Sequence, residues 1–324
     1  MDDFLFSLTL GLNQQRNGLS LNRYVLEKAL PKLLPESQIK MFEVFSNEKT
    51  EEQQDSHSLV FRCIDFHDQR IDQHIDIEKL ARFSRESSRS FFSGIQTVDN
   101  LISIPVSSDL GPMRLVYIND FPEDAIIRTR VLQMVEVFVH QVNLVDDMER
   151  DQLTSLLNRK SFNVYYQSQL DRLASKSDSL LWLAVMDIDH FKRVNDTYGH
   201  LYGDEVLLHF SRLMEQNFRY KDIPFRFGGE EFVLLLETSG IDDVQPVLDR
   251  FRKVVESYDF PGVGKVTVSI GYTKCEQNTL PTTLIDHADK ALYFAKENGR
   301  NRVVSYDELP EAESGAGDNN VDLF

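Results

Sequence analysis

The spacing of apolar residues changes period along the chain, and each change marks an element. From Leu21 to Leu34 the apolar positions recur at helical intervals, broken by Pro31 and Pro35. Ile39 to Phe45 and Ser58 to Phe66 then read as strands on either side of the polar stretch Asn47–His57. A helical segment around Ile77 to Phe92 comes next, then two more strands, Leu101–Val106 and Met113–Ile118, joined by a turn at Asp109-Leu110-Gly111-Pro112. Strands interleaved with helices predict an α/β domain over residues 1–122.

Glu123 to Met148 predicts one long helix. Ile127, Val131, Met134, Phe138, Gln141, Val145 and Met148 alternate in steps of four and three, the seam of a two-stranded coiled coil. A helix packed on its own domain gives the same pattern, but a parallel dimer seam is the expectation because the helix joins two domains. Thr154 and Asn158 are turn or cap residues at the entry to the second half. That half predicts helix 159–176, strand 180–187, helices 190–196 and 203–218, hairpin 223–237, helix 241–257, strand 265–273, helix 281–298 and strand 301–306.

Two stretches in this half carry chemistry. Leu181 to Ile188 reads as a buried strand that ends abruptly in acids, at Asp187 and Asp189. In Arg226-Phe227-Gly228-Gly229-Glu230-Glu231-Phe232, two glycines between β-prone runs predict a tight turn, with two carboxylates at its edge. If strand and hairpin are neighbours, Asp187, Glu230 and Glu231 converge as an all-oxygen cluster suited to Mg²⁺ and to substrate phosphates. Asp189, directly before His190, is placed to cap the next helix, whose N-terminus would seat phosphate groups.

Composition narrows the partners. The 324 residues suffice for about two domains, and a formal net charge of −17 disfavours a nucleic-acid polymer or an anionic membrane as partner. The two cysteines, Cys63 and Cys275, lack metal-ligand spacing and read as reduced thiols. There is no basic leader and no apolar run of spanning length, so the expectation is a cytoplasmic protein without a membrane span. Residues 307–324, acidic and without a base, are expected to be a disordered tail.

The ordered series Asp187-Ile188-Asp189-His190-Phe191-Lys192, Asn195-Asp196-Thr197-Tyr198-Gly199-His200, Gly203-Asp204-Glu205 and Gly-Gly-Glu-Glu-Phe resembles the GGDEF family of diguanylate cyclases over residues 151–306. The resemblance implies an α/β fold of the nucleotidyl-cyclase or palm-like kind, a mixed sheet surrounded by helices. It also implies a nucleotidyltransferase that condenses two GTP into cyclic di-GMP and two pyrophosphates as a homodimer. Asp187, the Ile188 carbonyl, Glu230 and Glu231 match the family's metal positions, for two Mg²⁺ (or Mn²⁺) per GTP site; Glu231 is either a second-metal ligand or the base. Glu230, Glu231 and Lys192 are the implied catalytic residues. Asn195 and Asp204 match the guanine-reading positions, His200 a substrate-proximal one, and Lys296 and Arg300 the second basic pair. Arg219 and Asp222 match an inhibitory product site for cyclic di-GMP.

Residues 1–122 are similar in pattern to GAF sensor domains, with a PAS-like sensor as the alternative, and residues 123–150 would be a dimeric signalling helix. The input, a small molecule or a protein, is not written in the sequence. A degenerate GGDEF domain acting as a cyclic di-GMP or GTP receptor is the competing function.

Overall fold

A computed structural model describes residues 3–47, 58–64, 95–98, 101–174, 179–219, 221–276 and 279–310. The helix expected around Ile77–Phe92, the side chain of Cys63 and the tail beyond residue 310 lie outside the described residues. The chain divides into two compact units, Met1–Arg150 and Asp151–Phe324.

The first unit begins with α1 (Asp3–Asn13), a helix ahead of the first one expected from periodicity; its Leu5, Leu8 and Leu12 are buried at three- and four-residue spacing. In α2 (Gly18–Tyr24) the Asn17 side chain caps the start by accepting from Ser20 N. A π turn at Val25–Ala29 then leads into α3 (Leu30–Leu33). Pro31 therefore does not end the helix; the wider turn before it accommodates the missing amide donor. Five strands come after: β1 (Gln38–Asn47), β2 (Ser58–Cys63), β3 (Gln96–Val98), β4 (Leu101–Val106) and β5 (Met113–Asn119). They form a sheet in the order β2-β1-β5-β4-β3, antiparallel throughout.

The long helix is α4 (Ala125–Glu149), started by Asp124, whose carboxylate accepts from Ile126 N and Ile127 N. Four of the seven positions of the expected seam face inward. Val131, Met134, Phe138 and Val145 are buried in the unit's own core, together with Leu8, Leu12, Leu21, Val25, Ile104 and Val116. The heptad spacing is an intramolecular packing stripe, because α1 and α2 cover the face that the sequence left open.

The second unit is a six-stranded sheet, β11-β10-β7-β9-β8-β6. Its strands are β6 (Leu157–Asn158), β7 (Leu180–Ile188), β8 (Ile223–Gly228), β9 (Glu231–Thr238), β10 (Val268–Lys274) and β11 (Val303–Ser305). Its helices are α5 (Phe162–Leu173), α6 (Phe191–Tyr198), α7 (His200–Asn217), α8 (Val244–Ser257) and α9 (Pro281–Glu297). Alternation along the central strands splits the core in two. Trp182, Ala184, Met186 and Ile188 pack with Phe232 and Leu234 against α6, α7 and α8. Leu181, Leu183 and Val185 pack with Val233 and Leu235 against α5 and α9. At Gly271 on β10 the backbone of α9 comes so close that an added Cβ would lie 2.2 Å from Ala288 O and from Leu292 N.

The C-terminal end of α4 is held by two buried acids. Arg114 on β5 forks onto Asp146, with Nη1–Oδ2 at 3.0 Å and Nη2–Oδ1 at 3.1 Å, and both side chains are almost fully buried. Glu149 accepts from Gly18 N at 2.9 Å. Burial alone would push the Asp146 pKa up, but the Arg114 guanidinium, helped by Arg150, holds it below the usual carboxylate range. A depressed carboxylate pKa contributes stability that is present above about pH 4, its unfolded value, and is lost as pH falls below it. Asp146→Ala, which removes the carboxylate facing the buried Arg114 guanidinium, is expected to destabilise this unit by about 3–5 kcal/mol. Hydrogen exchange of the α4 amides at neutral pH and near pH 3.5 checks both the size and the acid loss; unchanged protection in the variant would contradict them.

Candidate active site

The acids predicted to meet lie where β7 and β9 leave the core. Asp187 lies one residue before the end of β7, and its register partners are Glu231 on β9 and Ser269 on β10. Gly228 (φ 151°) and Gly229 (φ 51°) make the turn before β9, with a bulge between Arg226 and Gly228. Glu230 occupies the turn itself and is half-buried, while Glu231 is exposed. Arg226 fixes this turn: its Nε and Nη2 donate to Gly229 O at 3.1 and 2.9 Å, and Nη1 reaches Asp151 Oδ1 at 2.8 Å. Asp151 also accepts from the Thr154 amide and hydroxyl, both at 2.8 Å. Asn158 caps the next turn through Lys160 N and Ser161 N, as its type implies.

Lys296, near the end of α9, reaches across to Asp187, Nζ–Oδ2 2.8 Å. Burial pushes the Asp187 pKa up to about 6; Lys296 opposes the rise, and Glu230 and Glu231 add to it. Asp289, seven residues before Lys296 on the same face of α9, is also pushed up, to about 7, first by burial and then by Glu231 and Asp286. Its place near the cluster is readable only from that spacing.

These oxygens fit a hard divalent cation: the donors are carboxylates and one main-chain carbonyl, and Asp187 carries the repulsion of two neighbouring acids. Ile188 is fully buried and its side chain is apolar, so the carbonyl is the one oxygen it could offer an ion. The expected neighbours do meet in part: Asp187 and Glu231 are register partners, and Asp187 feels the charge of both Glu230 and Glu231. Among the described residues no group of three or more acidic, histidine or cysteine side chains is gathered to hold a metal ion. Lys296 takes one oxygen of Asp187.

The remaining predicted residues fall in two places. Lys192, His200 and Asp204 are exposed around α6 and the start of α7. Asn195 packs on Gly203, where an added Cβ would sit 2.0 Å from its Oδ1, so only glycine lets α7 pass this close. Arg219 is exposed, whereas Asp222 is buried and turned inward. Its oxygens accept Arg219 N at 2.7 Å and Glu237 N at 3.2 Å, so it shapes the loop rather than facing out with Arg219. Asp189 does not cap α6, whose first turn starts from His190 at φ 59° without a side-chain cap. The Asp189 carboxylate instead turns toward β10 and the loop after α9.

Residues 148–302 match the family model described as "Diguanylate cyclase, GGDEF domain". This half of the chain is a GGDEF domain. Diguanylate cyclase DgcM of Escherichia coli (strain K12) is 39% identical over 180 residues, 54% of this chain and 43% of that protein. Diguanylate cyclase A of Treponema denticola is 29% identical over 249 residues, 75% of this chain and 66% of that protein. The chain thus spans less than half the length of the first of these relatives. A crystal structure of the GGDEF domain of DgcB from Caulobacter crescentus in complex with c-di-GMP is 32% identical; the match covers 49% of this chain and 96% of that one, with a TM-score of 0.46. No helix among the described residues is long and apolar enough to cross a membrane.

The GGDEF domain's ion pair gives a direct test. In metal-free protein the Asp187 carboxyl is expected to titrate near pH 6. Lys296→Met, which removes the opposing cation, should move that midpoint upward. Carbon-13 NMR of the aspartate carboxyls reads both values; an Asp187 midpoint near 4 in the unaltered protein would contradict the geometry.

Proposed function

We propose that the chain is a diguanylate cyclase that joins two GTP into cyclic di-GMP. The observation that carries this reading is the pairing of Asp187 with Lys296 opposite Glu231, inside a GGDEF domain whose relatives bear the name diguanylate cyclase. Each 3′-hydroxyl attacks the α-phosphorus of the other GTP; a P–O bond forms, the bond to pyrophosphate breaks, and the hydroxyl proton leaves. Asp187, the Ile188 carbonyl, Glu230 and Glu231 would hold Mg²⁺ or Mn²⁺, which supplies neutralising charge for the triphosphate.

The chain's own groups bind and orient. Lys192 and the first turn of α6 receive phosphate oxygens, as do Lys296 and Arg300. Asp204 accepts from guanine N1–H and N2–H₂ and Asn195 donates to O6, a pairing that adenine leaves unsatisfied. His200, exposed at the start of α7, would be substrate-proximal. Glu231 either takes the hydroxyl proton or shares the ion.

One domain offers one GTP, so turnover needs a second copy. Because Val131, Met134, Phe138 and Val145, four of the seven heptad side chains, are core residues, that pairing would use other surfaces than the expected seam. The first unit is read as a GAF-like sensor whose input sets activity. Product binding at Arg219, with Asp222 fixing the loop around it, supplies inhibition.

Full-length protein with GTP, ATP and Mg²⁺ is expected to yield cyclic di-GMP by mass spectrometry and no adenine-containing product. Glu230→Gln should lower the rate by about a hundredfold or more. Binding of GTP or cyclic di-GMP without turnover in the unaltered protein would replace this reading with that of a receptor. Arg219→Ala is expected to weaken inhibition by added cyclic di-GMP about tenfold or more while leaving the initial rate near that of the parent.

A further inference from the structure

Asp189 stands two residues beyond Asp187 at the same strand end, only 4% exposed, and its carboxylate is fully engaged. Oδ1 accepts from Ser269 Oγ at 2.7 Å; Oδ2 accepts from Thr267 Oγ1 at 2.7 Å and from the Asn301 amide at 3.0 Å. Its own amide donates to Thr267 O at 2.9 Å.

The loop it grips is held in an unfavourable conformation. After Gly299 (φ 104°), Arg300 (φ 56°) and Asn301 (φ 47°) are both left-handed, which residues with a Cβ adopt only where their surroundings force it. The surroundings do so. Arg300 N donates to Ala295 O at 3.0 Å, and Arg302 Nε donates to Arg300 O at 3.2 Å. The Asn301 side chain accepts from Arg252 Nη1 and donates to Glu256 Oε1, both at 2.8 Å, which braces the turn on α8. Ending α9 requires only Gly299, so two further strained residues call for another reason.

That reason is visible in the spacing. The segment is tied to the end of β7 twice, Lys296 to Asp187 and the Asn301 amide to Asp189, and Arg300 lies between the two ties. We infer that Asp189 is a positioning residue: by anchoring the Arg300–Asn301 turn to β7, it fixes Arg300 relative to Asp187 and Lys296 and so sets affinity for the nucleotide triphosphate. The inference rests on the proposed function for the identity of that nucleotide. Asp189 touches no substrate itself and acts through the turn.

A double-mutant cycle tests this. The dissociation constant of an α,β-methylene analogue of GTP, which cannot lose pyrophosphate, is measured by calorimetry with Mg²⁺ on full-length protein. The four forms are the parent, Asp189→Asn, Arg300→Ala and the double variant. Asp189→Asn should weaken binding about tenfold or more. In the Arg300→Ala background the same change should have almost no further effect, because the residue it positions is gone. Losses that multiply, or an Asp189→Asn affinity within about twofold of the parent, overturn the inference. If Asp189→Asn fails to fold by circular dichroism, Asn301→Gly serves in its place. It keeps the left-handed turn and the amide but loses the brace to Arg252 and Glu256, and its effect should likewise vanish with Arg300. GTP turnover by the parent is assayed separately. Analogue binding without cyclic product would sink the cyclase reading, and the cycle would still decide the role of Asp189.

Discussion

A carboxylate buried at the end of a central strand is the constraint around which the second unit is arranged. Asp187 is removed from water and set opposite another acid, a placement that costs several kcal/mol unless positive charge meets it. Lys296 meets it, and can do so only because α9 crosses β10 with backbone against backbone at Gly271. Ala288, Ala291 and Ala295, all fully buried, keep that crossing close along the helix. Small residues on one strand and one helix therefore determine where a cation stands relative to an acid.

The same logic extends outward in shells. The glycine turn before β9 sets Glu230 and Glu231 beside Asp187, and Arg226 keeps the turn from moving. Asp189 holds the loop beyond Lys296, and Arg252 on α8 holds Asn301 in turn. Charged groups in this half are thus used less as exposed decoration than as buried fasteners, each with named partners.

Local pattern makes much of this legible. The strand ending at Asp187, the two-glycine hairpin and helices α7 to α9 arise from period and turn chemistry, and they fall within a few residues of their predicted bounds. What the sequence hides is tertiary. The stripe Val131, Met134, Phe138, Val145 fits a coiled coil and an intramolecular core equally well; only the presence of α1 and α2 against it decides between them. β11 starts at Val303 rather than 301 because Arg300 and Asn301 are left-handed, a conformation that their residue types do not announce. Asp189 has the sequence position of a helix cap because it precedes His190. Its carboxylate goes to residues about eighty and over a hundred positions away, a choice no local rule could foresee.

The link from Arg226 to Asp151 also bears on how separable the catalytic half is. Asp151 is the first residue of the second unit, and its carboxylate is shared between the tight bend at Ser155 and the arginine that clamps Gly229. The boundary between units is consequently not a neutral stretch of chain: excision on the C-terminal side of Asp151 would strip the clamp of its anchor and slacken a loop seventy-odd positions downstream. Modularity here begins six residues earlier than the first regular element, β6 at Leu157, would indicate.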